Sequence, residues 1–337
     1  MPPGDTPRHP PETGPPAVQL AVAQRSVIQV SDLIKRYKKS EVNAVDGISF
    51  EVSEGEFFAL LGPNGAGKTS TISILTTTLK PTSGTVRIGG YDVNSQADDV
   101  RKQVGIVFQQ PSLDLNLTAE ENVRFHAILY GLYRWRPSYR LMPAEYRNRL
   151  KELSDTLGLE AEMFKPVKRF SGGMKRKLEI VRSLMHRPKV LFLDEPTAGL
   201  DADSRRTLWE YLKLIREQTG ATVFLTTHYL EEAEEADTIC IIDGGKIVSF
   251  GSPTDIKKDL VEEYLVVIPA DPAALSRELD RLGIRYDKGP EYRVQLNGKT
   301  VHGVLKAIET PLLSVRTHFP TLEDAYIAVL KKPDAST

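Results

Sequence analysis

Only one cysteine, Cys240, occurs among the 337 residues, so no disulfide can close within the chain. Its place in the apolar stretch TICIID reads as a small buried hydrophobe, and such usage fits a reducing cytoplasm. No run approaches the ~20 apolar residues that a membrane helix requires; the longest strong runs, such as VLFL at 190–193, have the length of strands. A surplus of either charge is missing as well. Lys+Arg 44 against Asp+Glu 45 leave a formal net charge of -1, which removes the basic footprint of a nucleic-acid-binding protein. The opening MPPGDTPRHPPETGPP has no apolar core region and does not read as a signal peptide, so the chain is expected to stay inside the cell. Internal repeats and coiled-coil heptads are lacking too.

What is present is globular material, 40% hydrophobic and 26% charged, in a chain long enough for one core and a smaller companion. Residues 1–26 are the exception. Rich in proline and almost without large apolar side chains before Val18, they cannot bury enough surface to offset their ordering entropy and are expected to form a disordered tail. From Val27 onward short β-rich runs alternate with helical patterns: SVIQV, EFFALLG, GIVF, KVLFLD, ATVFLTT and TICIID. This alternation predicts an α/β domain over 27–255, with a largely parallel, helix-covered sheet. Residues 112–188 carry helical patterns alone and read as a helical subdomain inserted in the sheet. Within it Thr118 and Glu121 have the spacing of a capping box, and Met174, Leu178, Val181 and Met185 share one face of a helix that follows Ser171. Beyond Gly251-Ser252-Pro253 the order β-α-β-β-α-β, closed by a helix, predicts a small C-terminal α+β domain of ferredoxin-like type over 256–337.

Gly62-Pro63-Asn64-Gly65-Ala66-Gly67-Lys68-Thr69-Ser70 matches G-x-x-x-x-G-K-[ST] between the apolar strand FFALL and a helix through Thr71, Ile72 and Leu75. Glycines let backbone amides close around phosphate oxygens, and the helix N-terminus adds positive potential. Lys68 would reach the terminal phosphates and Thr69 would offer a hydroxyl to Mg²⁺. Alone, this loop means nucleotide binding and leaves GTPases, kinases and helicases open. A second acidic motif, KVLFLDEP, is a buried-type strand ending in Asp194 and Glu195, where an open α/β sheet presents its ligand-binding residues. Asp194, at the strand end, is placed to hold Mg²⁺ through water, and Glu195 to polarise an attacking water as general base. In Phe170-Ser171-Gly172-Gly173-Met174, Ser171 caps the next helix while Gly172 and Gly173 expose amides at its positive end, a second anion site.

The phosphate loop, Gln109, the Ser171-Gly172-Gly173 turn, Asp194-Glu195, Ala198-Gly199-Leu200-Asp201 and His228 follow one another in an order and spacing that make residues 27–255 resemble an ABC-transporter nucleotide-binding domain, a P-loop NTPase fold. The resemblance implies ATP and Mg²⁺ as ligands. It also implies two domains, identical or mixed, paired head to tail, with ATP between the phosphate loop of one and Ser171, Gly172 and Gly173 of the other. This chain departs from the family's LSGGQ at Phe170 and Met174. By the same resemblance Gln109 is the loop glutamine that senses Mg²⁺ and the attacking water and touches the membrane partner, with Gln110 the competing choice one position on. His228 is similar to the switch histidine at the γ-phosphate, Tyr37 in LIKRYKK to the aromatic that stacks on adenine, and Asp201 to a residue that communicates across the dimer without being catalytic.

The ending Phe319-Pro320-Thr321-Leu322-Glu323-Asp324-Ala325-Tyr326 resembles drug-resistance ATPases of the daunorubicin exporter type, which work with separate ABC-2 membrane subunits. The expectation is therefore an ATP-hydrolysing subunit, peripheral on the cytoplasmic face of the membrane, that powers efflux of drug-like or lipid-like molecules. Polysaccharide or ion cargo, and a soluble ABC ATPase not engaged in transport, are the alternatives. Against the last stand the single cassette, the lack of a long coiled-coil insert and the balanced charge, which also argues against a nucleic-acid partner. Glu195 and His228, both present, argue against a non-hydrolysing sensor. The segment 131–140, which holds Trp135 among arginines and tyrosines, is longer and more aromatic than its family equivalent. It reads either as a contact for the membrane subunit or as a surface loop.

Overall fold

The computed structural model describes residues 25–260, 263–296, 298–318 and 321–331. The tail read over 1–26 lies outside the described residues as far as residue 24, as do Phe319 and Pro320 of the closing motif. Strands β1 (Ser26–Lys35), β2 (Val45–Ser53) and β3 (Phe57–Leu61) lead into the phosphate loop and α1 (Lys68–Leu75). Then come β4 (Ser83–Ile88), β5 (Tyr91–Asp92), α2 (Ala97–Gln103) and β6 (Val104–Val107). The helical stretch holds α3 (Ala119–Leu129), α4 (Ala144–Thr156) and α5 (Gly172–Leu184). It is followed by β7 (Val190–Asp194), α6 (Ala202–Thr219), β8 (Thr222–Thr227), α7 (Leu230–Ala233), β9 (Thr238–Asp243), β10 (Lys246–Gly251) and α8 (Pro253–Leu260). The chain closes with β11 (Tyr264–Pro269), α9 (Pro272–Leu282), β12 (Tyr286–Asp287), β13 (Tyr292–Gln295), α10 (Val301–Ala307), β14 (Leu312–His318) and α11 (Leu322–Lys331).

A six-stranded sheet runs β10-β9-β3-β8-β7-β6. It is parallel except for the edge pair β9 and β10. Its inner strands are apolar without alternation, and every residue of β3, β7 and β8 is buried, as expected of strands covered on both faces. One face is covered by the helical stretch with α6. The other meets a four-stranded antiparallel sheet, β2-β1-β4-β5, through stacked rings: Phe50 of β2 lies 5.4 Å from Phe58 and 6.2 Å from Phe224.

The antiparallel sheet extends what the sequence pattern disclosed, which was the run SVIQV alone. β1 continues to Lys35, but its register shifts against both neighbours near Ser31–Ile34, and Asp32 takes a left-handed φ of 48°. A bulge of this kind breaks the period-2 alternation on which a strand is recognised. The capping box at α3 is present in full: Thr118 accepts from the Glu121 amide, and Glu121 accepts from the Thr118 amide.

The C-terminal sheet has the order β12-β13-β11-β14, antiparallel throughout. With α9 and α10 between its strands this is the ferredoxin-like arrangement, closed around its own core of Leu265, Val267, Leu275, Leu279, Tyr292 and Val294. The last helix leaves that core. Leu322 and Ala325 of α11 are buried in the same cluster as Ile256 of α8 and Ile239 of β9, so α11 packs back on the large domain.

Candidate functional site

The parallel sheet carries four adjacent strand ends to one rim: β3, β8, β7 and β6. Leu61 aligns with Thr227, Asp194 with Thr226 and Val107 with Leu193, so the segments that leave these strands emerge at the same level. From β3 comes the phosphate loop, from β8 His228, from β7 Glu195, and from β6 Gln109. This is the ligand edge of an open α/β sheet. A cleft of about 480 Å³ opens there. Asn64, Gly65, Gly67, Lys68, Thr69 and Ser70 line one wall, and Gln109, Glu195 and His228 the other, with Ala44 and Ala198 completing it.

Two glycines of the loop are required by close approach. A Cβ on Gly67, whose φ is 107°, would stand 2.4 Å from the Ala44 carbonyl oxygen, and one on Gly62 would stand 2.3 Å from that of Ile242. Ala66 is buried and its carbonyl accepts from the Gly245 amide. Lys68 is only 5% exposed; its ammonium donates to the carbonyls of Gly62 (2.7 Å) and Pro63 (3.1 Å) and lies 3.9 Å from the Glu195 carboxylate. Burial pulls the Lys68 pKa below the usual lysine range, while the charges of Glu195 and Asp194 oppose the shift. A phosphate in the cleft would supply the negative charge that this ammonium is placed to meet.

Asp194, 6% exposed, accepts the Thr226 hydroxyl at 2.6 Å. Burial pushes its pKa up, and the Thr226 hydrogen bond works against that rise. Thr69 and Gln109 both line the cleft, and Asp194 ends β7 at its rim; a hydroxyl, an amide oxygen and a carboxylate are hard oxygen donors of the kind magnesium takes. This donor set fits the ion. The adjoining Glu195 takes a left-handed φ of 43°, unusual for a residue with a side chain. Its amide donates to Thr226 (3.1 Å to the carbonyl), and its carbonyl accepts from Arg176 at 3.2 Å. Both ends of the strained peptide are thus held. The carboxylate is aimed into the cleft, where Gln109 Nε2 donates to Oε2 at 2.9 Å and His228 Nδ1 lies 3.2 Å from Oε1. A carboxylate so held can orient a water and take its proton. Gln109, and not Gln110, reaches this group.

The residue that the sequence pattern did not single out is Arg176, in α5. Its buried guanidinium donates to the carbonyls of Pro196 (2.7 Å), Glu195 and Phe108, and pairs with Glu179 at 3.2 Å. Glu179, fully buried, in turn accepts from the Ser112 amide at 2.9 Å. The pair therefore staples the segment of Gln109 to the segment of Glu195. A signal existed, since Arg176 and Glu179 are i,i+3 neighbours on a helix, but among the basic residues of MKRKLE nothing local marks which one turns inward.

Ser171, Gly172 and Gly173 do not line the cleft. Ser171 accepts from the Met174 amide at 3.2 Å, as an N-cap, and Ser171 and Gly172 are exposed at the start of α5. Tyr37 stands beside the phosphate loop, 45% exposed, with its hydroxyl 3.1 Å from Ser70 Oγ. Asp201 caps α6 by accepting the Ser204 amide at 2.8 Å. Trp135 is 62% exposed. Its segment is anchored from below, where Arg124 donates to the Arg136 carbonyl at 2.8 Å and Tyr133 and Tyr139 pack edge-on against Tyr146.

Comparison with known proteins agrees with this geometry. The family profile described as ABC transporter matches residues 45–198. The daunorubicin/doxorubicin resistance ATP-binding protein of Streptomyces peucetius is 41% identical over 239 residues, 71% of this chain and 69% of the relative. The Nod factor export ATP-binding protein I of Ralstonia nicotianae is 39% identical over 255 residues, 74% of this chain and 76% of the relative. Among solved structures, a dimeric ATP-binding cassette in a post-hydrolysis state bound to ADP and Pi aligns with a TM-score of 0.59 and 30% identity, covering 67% of this chain and 98% of that one.

Proposed function

The chain belongs to the family of ABC transporter ATP-binding subunits, and from that premise we propose that it works as one half of a pair that closes head to tail on ATP. It binds and hydrolyses ATP to power export. Within the pair, the phosphate loop of one subunit and Ser171, Gly172 and Gly173 of the other would hold the triphosphate from two sides. The observation that carries this reading is the placement of α5. The start of the helix is exposed, with Gly172 amides at its positive end, yet lies outside the cleft of its own chain. A second anion site so turned out suits a nucleotide held by a neighbour.

Lys68 and the loop amides bind and orient the phosphates. Glu195 takes a proton from the attacking water, and Gln109 and His228 hold its carboxylate on line with the γ-phosphate. Tyr37 offers its ring to the adenine. Thr69, Asp194 and Gln109 would hold magnesium, which when bound would offset the charge developing on the phosphate oxygens.

The test is ATP-dependent dimerisation. In a background where turnover is blocked by Glu195→Gln, the full chain is expected to dimerise on ATP by size-exclusion chromatography. Ser171→Arg is expected to keep ATP binding by the monomer and lose the dimer. A dimer that survives Ser171→Arg would overturn the head-to-tail arrangement.

No helix among the described residues is long and apolar enough to cross a membrane, which supports a path for the cargo through separate subunits of ABC-2 type, with this chain on the cytoplasmic face. Drug-like or lipid-like molecules are the cargo we assign, in line with relatives named for daunorubicin/doxorubicin resistance and Nod factor export. We place the docking of the membrane subunit at the 131–140 segment, since Trp135 and its arginines have the composition of an interface centre and rest on an anchored base. Trp135→Ala should weaken co-purification with the membrane subunit in detergent while leaving ATP binding intact. Equal recovery of the complex would remove the segment from that role.

A further inference from the structure

The strand β8 ends in two threonines, Thr226 and Thr227, both fully buried. Successive residues of a strand point to opposite faces, and here each face supplies a carboxylate. Thr226 donates to Asp194. Thr227 donates to Glu232 Oε2 at 2.6 Å, and the same hydroxyl oxygen accepts from the Tyr229 amide at 2.9 Å. The other oxygen of Glu232 accepts the hydroxyl of Thr197. Thr197 stands two residues after Glu195, and its carbonyl accepts the Leu200 amide at 3.0 Å, which opens the turn toward Asp201. One carboxylate thus ties the segment leaving Glu195 to the strand end that delivers His228.

The chemistry of this carboxylate is unlike that of a filler. Glu232 is 1% exposed and makes no ion pair among the described residues. Burial is the largest influence on its pKa and raises it; the two threonine hydroxyls and the charge of Arg205 oppose that rise. Arg205 itself lies over the Tyr229 ring, 5.0 Å from its centre. A buried carboxylate held mainly by hydroxyls is costly, and an apolar side chain of similar size would fill the same space at less cost. What the apolar side chain could not do is orient two hydroxyls on two different segments.

We infer that Glu232 is a positioning residue for ATP hydrolysis, one that holds Glu195 and His228 in register by bridging Thr197 and Thr227. The inference rests on the proposed roles of those two residues. It differs from the staple at Arg176, which ties the segment of Glu195 and Pro196 to Phe108 and Gln109 and not to the strand end of His228. Misplacement of a reacting group by about 1 Å costs on the order of 10²-fold in rate, and the bridge is short enough for its loss to have that consequence.

The test uses the full chain, with Glu232→Met, Glu232→Gln and Thr227→Val compared in ATP binding and in steady-state hydrolysis per folded protein. Glu232→Met is expected to lower kcat by about 10²-fold with ATP affinity unchanged, because nothing in the bridge touches the phosphate loop. Glu232→Gln, which keeps one acceptor oxygen, should lose less. Thr227→Val should lower kcat on its own and add little on top of Glu232→Met, since both break one network. A folded Glu232→Met that turns over at the wild-type rate overturns the inference, as do losses that simply multiply. Should Glu232→Met fail to fold, Thr227→Val with unaltered kcat overturns it equally. If Glu195→Gln hydrolyses ATP normally, the underlying assignment of the base is what fails, and that result is distinct from any outcome at Glu232.

Discussion

Glu195→Gln is expected to bind ATP as the parent does and to turn it over about 10²–10⁴-fold more slowly, the range that a general base contributes. The side chain keeps its size and its place, since the backbone of residue 195 is held by Thr226 and Arg176 through main-chain atoms. What changes is the acceptor. A carboxylate can take a proton from water and an amide cannot, and one of the two contacts now made by Gln109 and His228 meets an NH₂ in place of an oxygen. Lys68 and the loop amides, which would carry most of the nucleotide affinity, are untouched. Single-turnover hydrolysis with bound ATP measured separately distinguishes the two effects. Turnover within a few-fold of the parent, in a folded protein that binds ATP, would remove Glu195 from the role of base.

The largest loss of stability should come from Arg176→Met. Its guanidinium satisfies the carbonyls of Phe108, Glu195 and Pro196 and the carboxylate of Glu179 at once. Removing one partner of a buried pair costs about 3–5 kcal/mol, because the other charge stays behind without compensation; Arg182, 3.8 Å from Glu179, offsets only part of it. For a domain of this size such a loss lowers the thermal midpoint by roughly 6–20 °C. Arg206→Met is the matching control. That arginine is 83% exposed and pairs with Glu210 on the surface of α6, so its change should stay within about 0.5 kcal/mol. Equal thermal midpoints for the two variants would show that the staple at Arg176 contributes nothing to the fold.

Legibility in the sequence followed the range of the interactions involved. The phosphate loop was readable because nine consecutive residues carry it, and Asp194 and Glu195 because an apolar run stops at them. The capping box at Thr118 and Glu121 and the cap at Ser171 were readable for the same reason: each contact closes within three residues. The β-α-β-β-α-β order announced the ferredoxin-like sheet, since β11 and β13 alternate in burial and α9 buries one face, although β12 itself has only two residues. β2, β4 and β5 were not announced. β1, which organises them, is interrupted by a bulge at Asp32, and β5 has two residues, too few for any period to show.

By itself the sequence determined which residue types stand at the ends of which strands, and with them the nucleotide chemistry, because spacing along a strand–loop–helix unit dictates local geometry. Only the tertiary structure decided which polar side chains turn inward and what they join. Arg176 reaches back to Phe108, and Glu232 spans from Thr197 to Thr227, through contacts between segments remote from one another in the chain. The physical reason is that a buried charge or carboxylate must find its partners wherever packing brings them, and the partners of Arg176 are mostly backbone carbonyls, which every residue possesses and no sequence pattern marks.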